Sequence, residues 1–422
     1  MTGAEAIAYI HSRSWMGSRL GLARTRAILT SLGNPQNSLR FIHIAGTNGK
    51  GSVAAMCASI LQTAGYRTGL YTSPYLYSFH ERIRVDGEMI PDETLGSLMG
   101  EIRPIADSME DPPTEFELIT AMAFLYFKRS GCDVVVLEVG MGGTLDSTNV
   151  IDTPELAIIT TIGLDHMKEL GGTVEEIAEA KAGIIKRYGD VVVYPQSPSV
   201  RQVFETTCCR KGANLVLTDK SKVKSESHSL DGQYFSWGNM EHIFLPLLGH
   251  HQVMNAAVCL TAMEVLREKG WQICEKTVRE GLGRVTWPGR FEVLRRNPLF
   301  IVDGGHNPQC SEALIHNLRD YLPERRVVML TGVLADKDYD AMFALVDPVV
   351  ERYITVTPNT PRALSSELLA EHLKPFGKPV TVSTTPARGV FEANREAGEE
   401  GIVCVFGSLY IVGDIRKCFG KE

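Results

Sequence analysis

Short apolar runs rich in β-branched residues recur along the chain: "RFIHIAG", "DVVVLEVG", "ELAIITTIG" and "DVVVYP", then "LFIVDGG", "RVVMLTG", "RYITVTP", "PVTVS" and "GIVCVFG". Runs that are apolar throughout, rather than alternating, predict strands buried on both faces of a parallel sheet. Between them lie stretches with helical spacing, such as "HQVMNAAVCLTAMEVLREKG" and "CSEALIHNLRDYL". Strands and helices in alternation define an α/β protein. The series breaks at "GRVTWPGRFEVLRRNP", where Trp287-Pro288-Gly289 close a long helical region, and resumes at Leu299. This predicts a first domain over 1–285, with a mostly parallel sheet, and a smaller Rossmann-like α/β domain over 286–422. The polar stretch 210–245 reads as hairpins and is expected at an antiparallel edge of the first domain.

A chain of 422 residues suits two or three domains with large cores. The net charge of −7 and pI near 5.9 argue against a nucleic-acid partner, which needs a basic face. There is no apolar run long enough for a membrane span. The N-terminal "MTGAEAIAYIHSRSW" has neither a basic start nor an apolar core, so no secretory signal is expected. The nine cysteines are odd in number and contain no CxxC spacing, which predicts reduced thiols in a cytoplasmic protein.

The chemistry should lie at the carboxyl ends of the strands, where open α/β sheets bind ligands. After "RFIHIA" comes the loop Gly46-Thr47-Asn48-Gly49-Lys50-Gly51-Ser52, followed by the apolar helical stretch "SVAAMCASILQTAG". The spacing departs from G-x-x-x-x-G-K-[ST]: the first two glycines are closer, and Gly51 separates Lys50 from Ser52. Strand, glycine loop and helix nevertheless give the context for a phosphate site, with backbone N–H groups, a helix N-terminus and the Lys50 charge. Glu138 ends the all-apolar strand "DVVVLEVG", where a buried carboxylate calls for a partner such as a nucleotide-bound metal. Asp165-His166 follow another strand, and Ser73 of "LYTSPYL" offers a hydroxyl, although Ser before Pro is also ordinary turn chemistry. In the second domain "FIVDGGHNP" places Asp303, His306 and Asn307 after a strand. Three features have plainer readings. "TEFELITAMAFLYF" reads as a core-facing helix, and Asp336–Asp340 as an acidic helix start favoured by the dipole. Arg82 of "FHERIRVDG" is either a solvated strand residue or a substrate contact.

Taken together, the motifs resemble those of the folylpolyglutamate synthases, within the Mur-ligase-type ATP-dependent amide ligases. The resemblance rests on "HIAGTNGKGS", "GYRTGLYTSPYL", "SFHERIRVDG", "LEVGMGGTLDSTNV", "IGLDHMKELGGTVEEIAEAKAGIIK", "LLGHHQVMNAA", "WPGRFEV", "DGGHNP", "PRALSSELLA" and "GSLYIVGDIR", in family order over nearly the whole chain. It implies that G-T-x-G-K-G-[ST] is this family's form of the phosphate loop. It also implies the reaction: a folate carboxylate takes the γ-phosphate of ATP, and the amine of L-glutamate displaces phosphate from the resulting acyl phosphate. Ser73, Glu138 and His166 correspond to the family's Mg²⁺ ligands, with two metal sites expected. Lys181 corresponds to a lysine borne as a carbamate, and Asn255 and Arg290 to residues that hold ATP. Asp303 and His306 correspond to residues contacting ATP from the second domain. Lys50, Lys181 and His306 are the expected catalytic residues. The expected substrates are a reduced folate, L-glutamate and ATP, and the expected state is a monomer. Three positions depart from the common pattern: Thr144 replaces an arginine, Ala180 enters "EAKAGI", and Gly305 replaces an alanine.

The resemblance extends to bifunctional enzymes that also add the first glutamate to dihydropteroate, and more remotely to cell-wall amino-acid ligases. A GTPase is disfavoured because no Asn-Lys pair exists for an N-K-x-D motif. A dinucleotide dehydrogenase is disfavoured because "LFIVDGGHNP" lacks G-x-G-x-x-G.

Overall fold

In the computed structural model the chain forms two compact units, one of Met1–Val223 with Met254–Val285, the other of Lys224–Val253 with Thr286–Glu422. The structure describes residues 1–14, 17 and 19–421, so Trp15, the end of the N-terminal stretch read above, lies outside the described residues.

The first unit is built on eight strands: β1 (Phe41–Ala45), β2 (Thr68–Tyr71), β3 (Ile83–Val85), β4 (Glu88–Met89), β5 (Val134–Glu138), β6 (Leu156–Ile159), β7 (Asp190–Val193) and β8 (Asn214–Leu217). They lie in the order β4-β3-β2-β5-β1-β6-β7-β8. All neighbours from β2 to β8 are parallel, and β3 and β4 add an antiparallel edge. Every residue of β1 and β5 is buried, as expected of runs without polar alternation. On one face Phe41, Tyr71, Val135 and Leu137 pack with Leu98, Met99 and Ile102 of the helix Asp92–Asp107 and with Leu118, Met122 and Phe124 of the helix Glu115–Arg129. The latter helix is the "TEFELITAMAFLYF" stretch, started by a capping box between Thr114 and Glu117. Nearer β6 and β7, Ala157, Ile159, Val191 and Val193 pack with Ile177, Ile184, Ile185 and Phe204. The helix Lys50–Thr63 approaches the helix Glu275–Arg284 so closely that a Cβ on Gly281 would lie 2.6 Å from Ile60 Cα, and Ser59 Oγ donates to Gly281 O at 2.6 Å.

The second unit holds two sheets. Strands β9 (Val223–Ser229), β10 (Gly232–Trp237) and β11 (Met240–Leu245) form one, in the order β11-β10-β9. The other contains β12 (Glu292–Arg296), β13 (Leu299–Val302), β14 (Val327–Thr331), β15 (Val350–Thr355), β16 (Val380–Val382) and β17 (Ile402–Phe406), in the order β12-β13-β17-β14-β15-β16. Only β12 runs antiparallel to its neighbour. Its core gathers Ile301, Met329, Tyr353, Cys404 and Phe406 under Leu314 and Leu318 of the helix Pro308–Tyr321.

The stretch 210–245 differs from the expectation of an antiparallel edge. Its start, β8, is a parallel edge of the first sheet, while β9–β11 form a separate sheet grouped with the second unit. The physical reason is its one-sided polarity. β9 is almost wholly exposed, and only positions such as Phe235, Trp237, Ile243 and Leu245 turn inward. Gln233 anchors the sheet by donating to Leu247 O at 2.5 Å and Gly249 O at 3.0 Å, and Arg296 pairs with Asp231 at 2.5 Å.

All nine cysteines are unbridged. Among the described residues, no helix is long and apolar enough to cross a membrane.

Candidate active site

The chain leaves β1 at Ala45 and enters the helix Lys50–Thr63 through four residues, Gly46 to Gly49. Two of these glycines are obligatory. Gly46 has φ +152° and a Cβ there would lie 1.8 Å from Thr160 Oγ1; Gly49, the helix N-cap, has φ +85° and a Cβ there would lie 2.6 Å from Asn255 Oδ1. The loop therefore opens onto the first turn of a long helix, where backbone N–H groups and the dipole favour an anion. Lys50 Nζ donates to Gly46 O and Thr47 O, both at 3.1 Å, and so lies over its own loop. Ser52 is buried in the first turn of the helix. Asn255, 4% exposed, closes the loop from the other side.

Lys181 reaches the same loop. It ends the helix Val174–Lys181, which a Thr173–Glu176 capping box starts, and its Nζ donates to Gly46 O at 2.8 Å. The side chain is 5% exposed. Burial, followed by the nearby Lys50 charge, lowers its pKa to about 7, against the pull of Asp165 and Asp146. A second cation at a phosphate loop is thus held close to neutrality.

Glu138 and Ser73 lie together: Ser73 N donates to Glu138 Oε2 at 3.1 Å, and Glu138 is 4% exposed at the end of β5. His166 adopts φ +50° as the N-cap of the short helix Met167–Leu170, with its N–H on Asp165 Oδ1 at 2.9 Å. Among the described residues no three His, Cys, Asp or Glu side chains cluster as a metal cage. One buried carboxylate at a strand end is still a donor suited to Mg²⁺, which takes one or two carboxylates and completes its shell with phosphate and water.

In the second unit, Asp303 follows β13 and is buried. Its Oδ2 accepts from Phe291 N at 3.0 Å and its Oδ1 from Gly305 N at 2.7 Å. Burial raises its pKa, opposed by the Arg290 guanidinium. Arg290 is close by: a Cβ on Gly304 would lie 2.8 Å from its Nη1. His306 Nδ1 lies 3.1 Å from Gly304 O, and Asn307 caps the helix Pro308–Tyr321 through Cys310 N. Arg290, Asp303 and His306 are thus set around one strand end.

Of the plainer readings, the acidic run holds: Asp338 caps the helix Tyr339–Val346 and Asp336 pairs with Arg362 at 2.6 Å. Arg82 is not a solvated strand residue. It closes the turn Phe79–Arg82 with its guanidinium 5.0 Å from the Tyr75 ring centre.

Sequence reasoning missed a buried network behind the loop. Asp146 Oδ1 accepts from Thr148 N at 3.0 Å and Thr148 Oγ1 at 2.6 Å, and its Oδ2 accepts from Met141 N at 2.9 Å. His43 Nε2 lies 2.8 Å from Thr148 Oγ1. Burial raises the Asp146 pKa, opposed by the hydrogen bonds from Thr148 and Met141; when ionised it only accepts, so the single Thr148 proton then goes to it and His43 Nε2 donates. Asp-x-Thr is an Asx-turn signature that could have flagged Asp146.

Residues 44–263 match the Mur ligase middle domain and residues 289–409 the Mur ligase glutamate ligase domain, which defines the class as a Mur-type ligase. The chain is 36% identical to the dihydrofolate synthase/folylpolyglutamate synthase of Bacillus subtilis, over 98% of each chain. It is 38% identical to the folylpolyglutamate synthase of Lacticaseibacillus casei, over 86% of this chain and 87% of that one. The crystal structure of Mycobacterium tuberculosis folylpolyglutamate synthase complexed with ADP and AMPPCP superposes with a TM-score of 0.90 at 33% identity, covering 99% of both chains. The chain belongs to the folylpolyglutamate and dihydrofolate synthase family of Mur-type ligases.

Proposed function

We propose that the chain is an ATP-dependent ligase that joins L-glutamate to the glutamate carboxylate of a reduced folate. The observation that supports this most directly is the phosphate loop, closed by Asn255 and reached by both Lys50 and Lys181. In this reading a folate carboxylate oxygen attacks the γ-phosphorus of ATP, and ADP leaves. The glutamate amine then attacks the acyl carbon, loses a proton, and phosphate departs as the amide forms. Phosphoryl transfer of this kind depends on positioning and charge neutralisation. The loop from Gly46 to Ser52 cradles the phosphates and Lys50 offsets their charge. In the first unit Asn255 binds the nucleotide; in the second, Arg290 and Asp303 are nucleotide-binding and His306 is catalytic. Ser73, Glu138 and His166 would hold Mg²⁺, with two ions expected, and bound Mg²⁺ neutralises phosphate charge. Lys181 bears a carbamate, formed when its neutral amine adds carbon dioxide and releases a proton.

The relative from Bacillus subtilis is named for both activities, and that favours a second reading in which dihydropteroate is also an acceptor. Our reading is polyglutamylation alone. Glutamate-dependent ADP release, assayed with a reduced folate and separately with dihydropteroate, tests both. No ADP release with either acceptor would reject the ligase, and robust turnover of dihydropteroate would replace the narrower reading. Unbridged cysteines suit a reducing, cytoplasmic setting. Gel filtration checks the monomer.

A further inference from the structure

Beyond β6 the chain continues as an extended strap, Thr160 to Gly163, that leads to Asp165 and His166. The strap is gripped from two directions. From the β1 side comes the phosphate loop. Thr47 N donates to Thr161 O at 2.7 Å, and the hydroxyls of Thr160 and Thr161 donate to Asn48 O at 2.7 and 3.2 Å. Thr47 Oγ1 donates to Gly163 O at 3.0 Å and accepts from Gly163 N at 3.1 Å. The absent Cβ of Gly46 makes room for the Thr160 hydroxyl, 1.8 Å from where that atom would sit.

From the β7 side, ordinary strand pairing runs out. Ile159 pairs with Val193, and Tyr194 N donates to Ile159 O at 2.8 Å. Past that point the backbone of the β7 strand diverges, and the side-chain amide of Gln196 takes over. Its Nε2 donates to Thr160 O at 2.8 Å and its Oε1 accepts from Ile162 N at 3.3 Å. One side chain thereby bridges the two residues flanking Thr161, the residue whose carbonyl and hydroxyl hold Thr47 and Asn48.

We propose that Gln196 is a positioning residue for the nucleotide: it fixes the strap, and through Thr160 and Thr161 it fixes the phosphate loop in its binding shape. Among the described residues the Gln196 amide hydrogen-bonds the strap and not the loop, so its effect passes through the strap. Thr160 is the second member of the device, because its carbonyl takes the Gln196 amide while its hydroxyl makes one of the direct bonds to the loop. The inference rests on the phosphate-site reading above and adds two residues to it.

The test uses the full chain, displacement of a fluorescent N-methylanthraniloyl ADP by ADP, and steady-state kinetics. Gln196→Ala should weaken ADP binding and raise KM for ATP about tenfold, equivalent to about 1.4 kcal/mol, because a mobile loop must be ordered on binding. It should leave kcat within about threefold and KM for glutamate within about twofold, the pattern of lost nucleotide binding. Thr160→Val, which keeps the shape and loses the donor, should behave alike, and Thr160→Ser should restore parental affinity. If the alanine variant does not fold, Gln196→Glu keeps the acceptor for Ile162 N and replaces the donor to Thr160 O with a carboxylate oxygen, and the same rise is expected. A lower melting temperature with ADP affinity within about twofold of the parent would overturn the proposal, since that is what a merely structural residue gives. Equal weakening by Thr160→Ser and Thr160→Val would overturn it as well. Lys50→Ala separates the two readings: if it too leaves ADP binding intact, the phosphate site is wrong; if it alone abolishes binding, only the role of Gln196 fails.

Discussion

Replacing Lys181 with alanine removes an amine that is 5% exposed and donates to Gly46 O at 2.8 Å. The proposed carbamate at this position can be tested with numbers taken from its surroundings. Burial and the Lys50 charge lower the lysine pKa from 10.5 to about 7. At pH 8 such an amine is about 90% neutral, against about 0.3% for an ordinary lysine, so roughly 300-fold more of it is free to add carbon dioxide. The product is an anion beside the Lys50 cation, which favours it. With ¹³C-bicarbonate, the parent should show a carbamate carbon resonance at pH 8 that is missing from Lys181→Ala. The resonance should fade towards pH 6, where the free-amine fraction falls to about 10%. The sign of the linkage is fixed by the same shift. The native pKa lies below the unfolded one, so the unfolded chain holds the extra proton between pH 7 and 10.5, and an uncarbamylated Lys181 makes stability rise with pH across that window. Turnover should drop about 100-fold or more in Lys181→Ala, the scale of losing one charged group aimed at a reacting centre, with partial recovery on adding short carboxylic acids. An active parent at pH 8, saturated with bicarbonate and nucleotide and lacking the resonance, would refute the carbamate. Near-parental turnover in Lys181→Ala would remove Lys181 from the chemistry altogether.

Lys50→Ala should abolish turnover with a stability change within about 0.5 kcal/mol, because among the described residues its ammonium donates to carbonyls of its own loop; a large loss by thermal melting would make it a structural residue. Glu138→Gln keeps the shape and an acceptor for Ser73 N, so the fold should persist while the Mg²⁺ concentration for half-maximal turnover rises at least about tenfold; an unchanged Mg²⁺ midpoint would take Glu138 out of the metal set. His43 is buried with its pKa lowered to about 3, first by burial and then by Lys186. Its unfolded pKa is near 6.5, so as pH falls from 7 to 5 only the unfolded chain gains that proton, costing the native state about 2 kcal/mol. His43→Gln, which retains a donor for Thr148, should flatten the denaturant-measured stability profile by that amount, and an unaltered slope would contradict a buried neutral imidazole.

What could be read from the sequence follows from which physics is local. An all-apolar run such as Val134–Leu137 has one good solution, a strand covered on both faces, and its place in the chain gives the strand without knowledge of its partners. The same logic makes Glu138, the first charge after that run, stand out as a strand-end residue, and Gly46 to Ser52 as a loop feeding a helix. Strand order is a different matter. β1 lies between β5 and β6, pairings that no local pattern around Phe41–Ala45 specifies. The hairpin character of 210–245 is legible over β9–β11 while its sheet is not, because a one-sided amphipathic hairpin needs a covering surface and does not say which.

The residues that support the loop show the limit most clearly. Gly46 advertises itself, since a glycine between a strand and a helix has few other uses; the group that requires it, the Thr160 hydroxyl, lies more than a hundred residues along the chain and looks like any threonine at a strand end. Gln196 is less visible still. It follows Tyr194-Pro195 in what reads as an ordinary strand exit, and its amide matters only because β7 stops pairing just where the strap needs its next partners. A glutamine that substitutes for backbone has no compositional signature, because any donor–acceptor side chain of the right reach would serve. The sequence therefore exposes groups that would meet the ligand, which break the local apolar pattern. It conceals those that hold such groups still, which satisfy a pattern completed elsewhere in the chain.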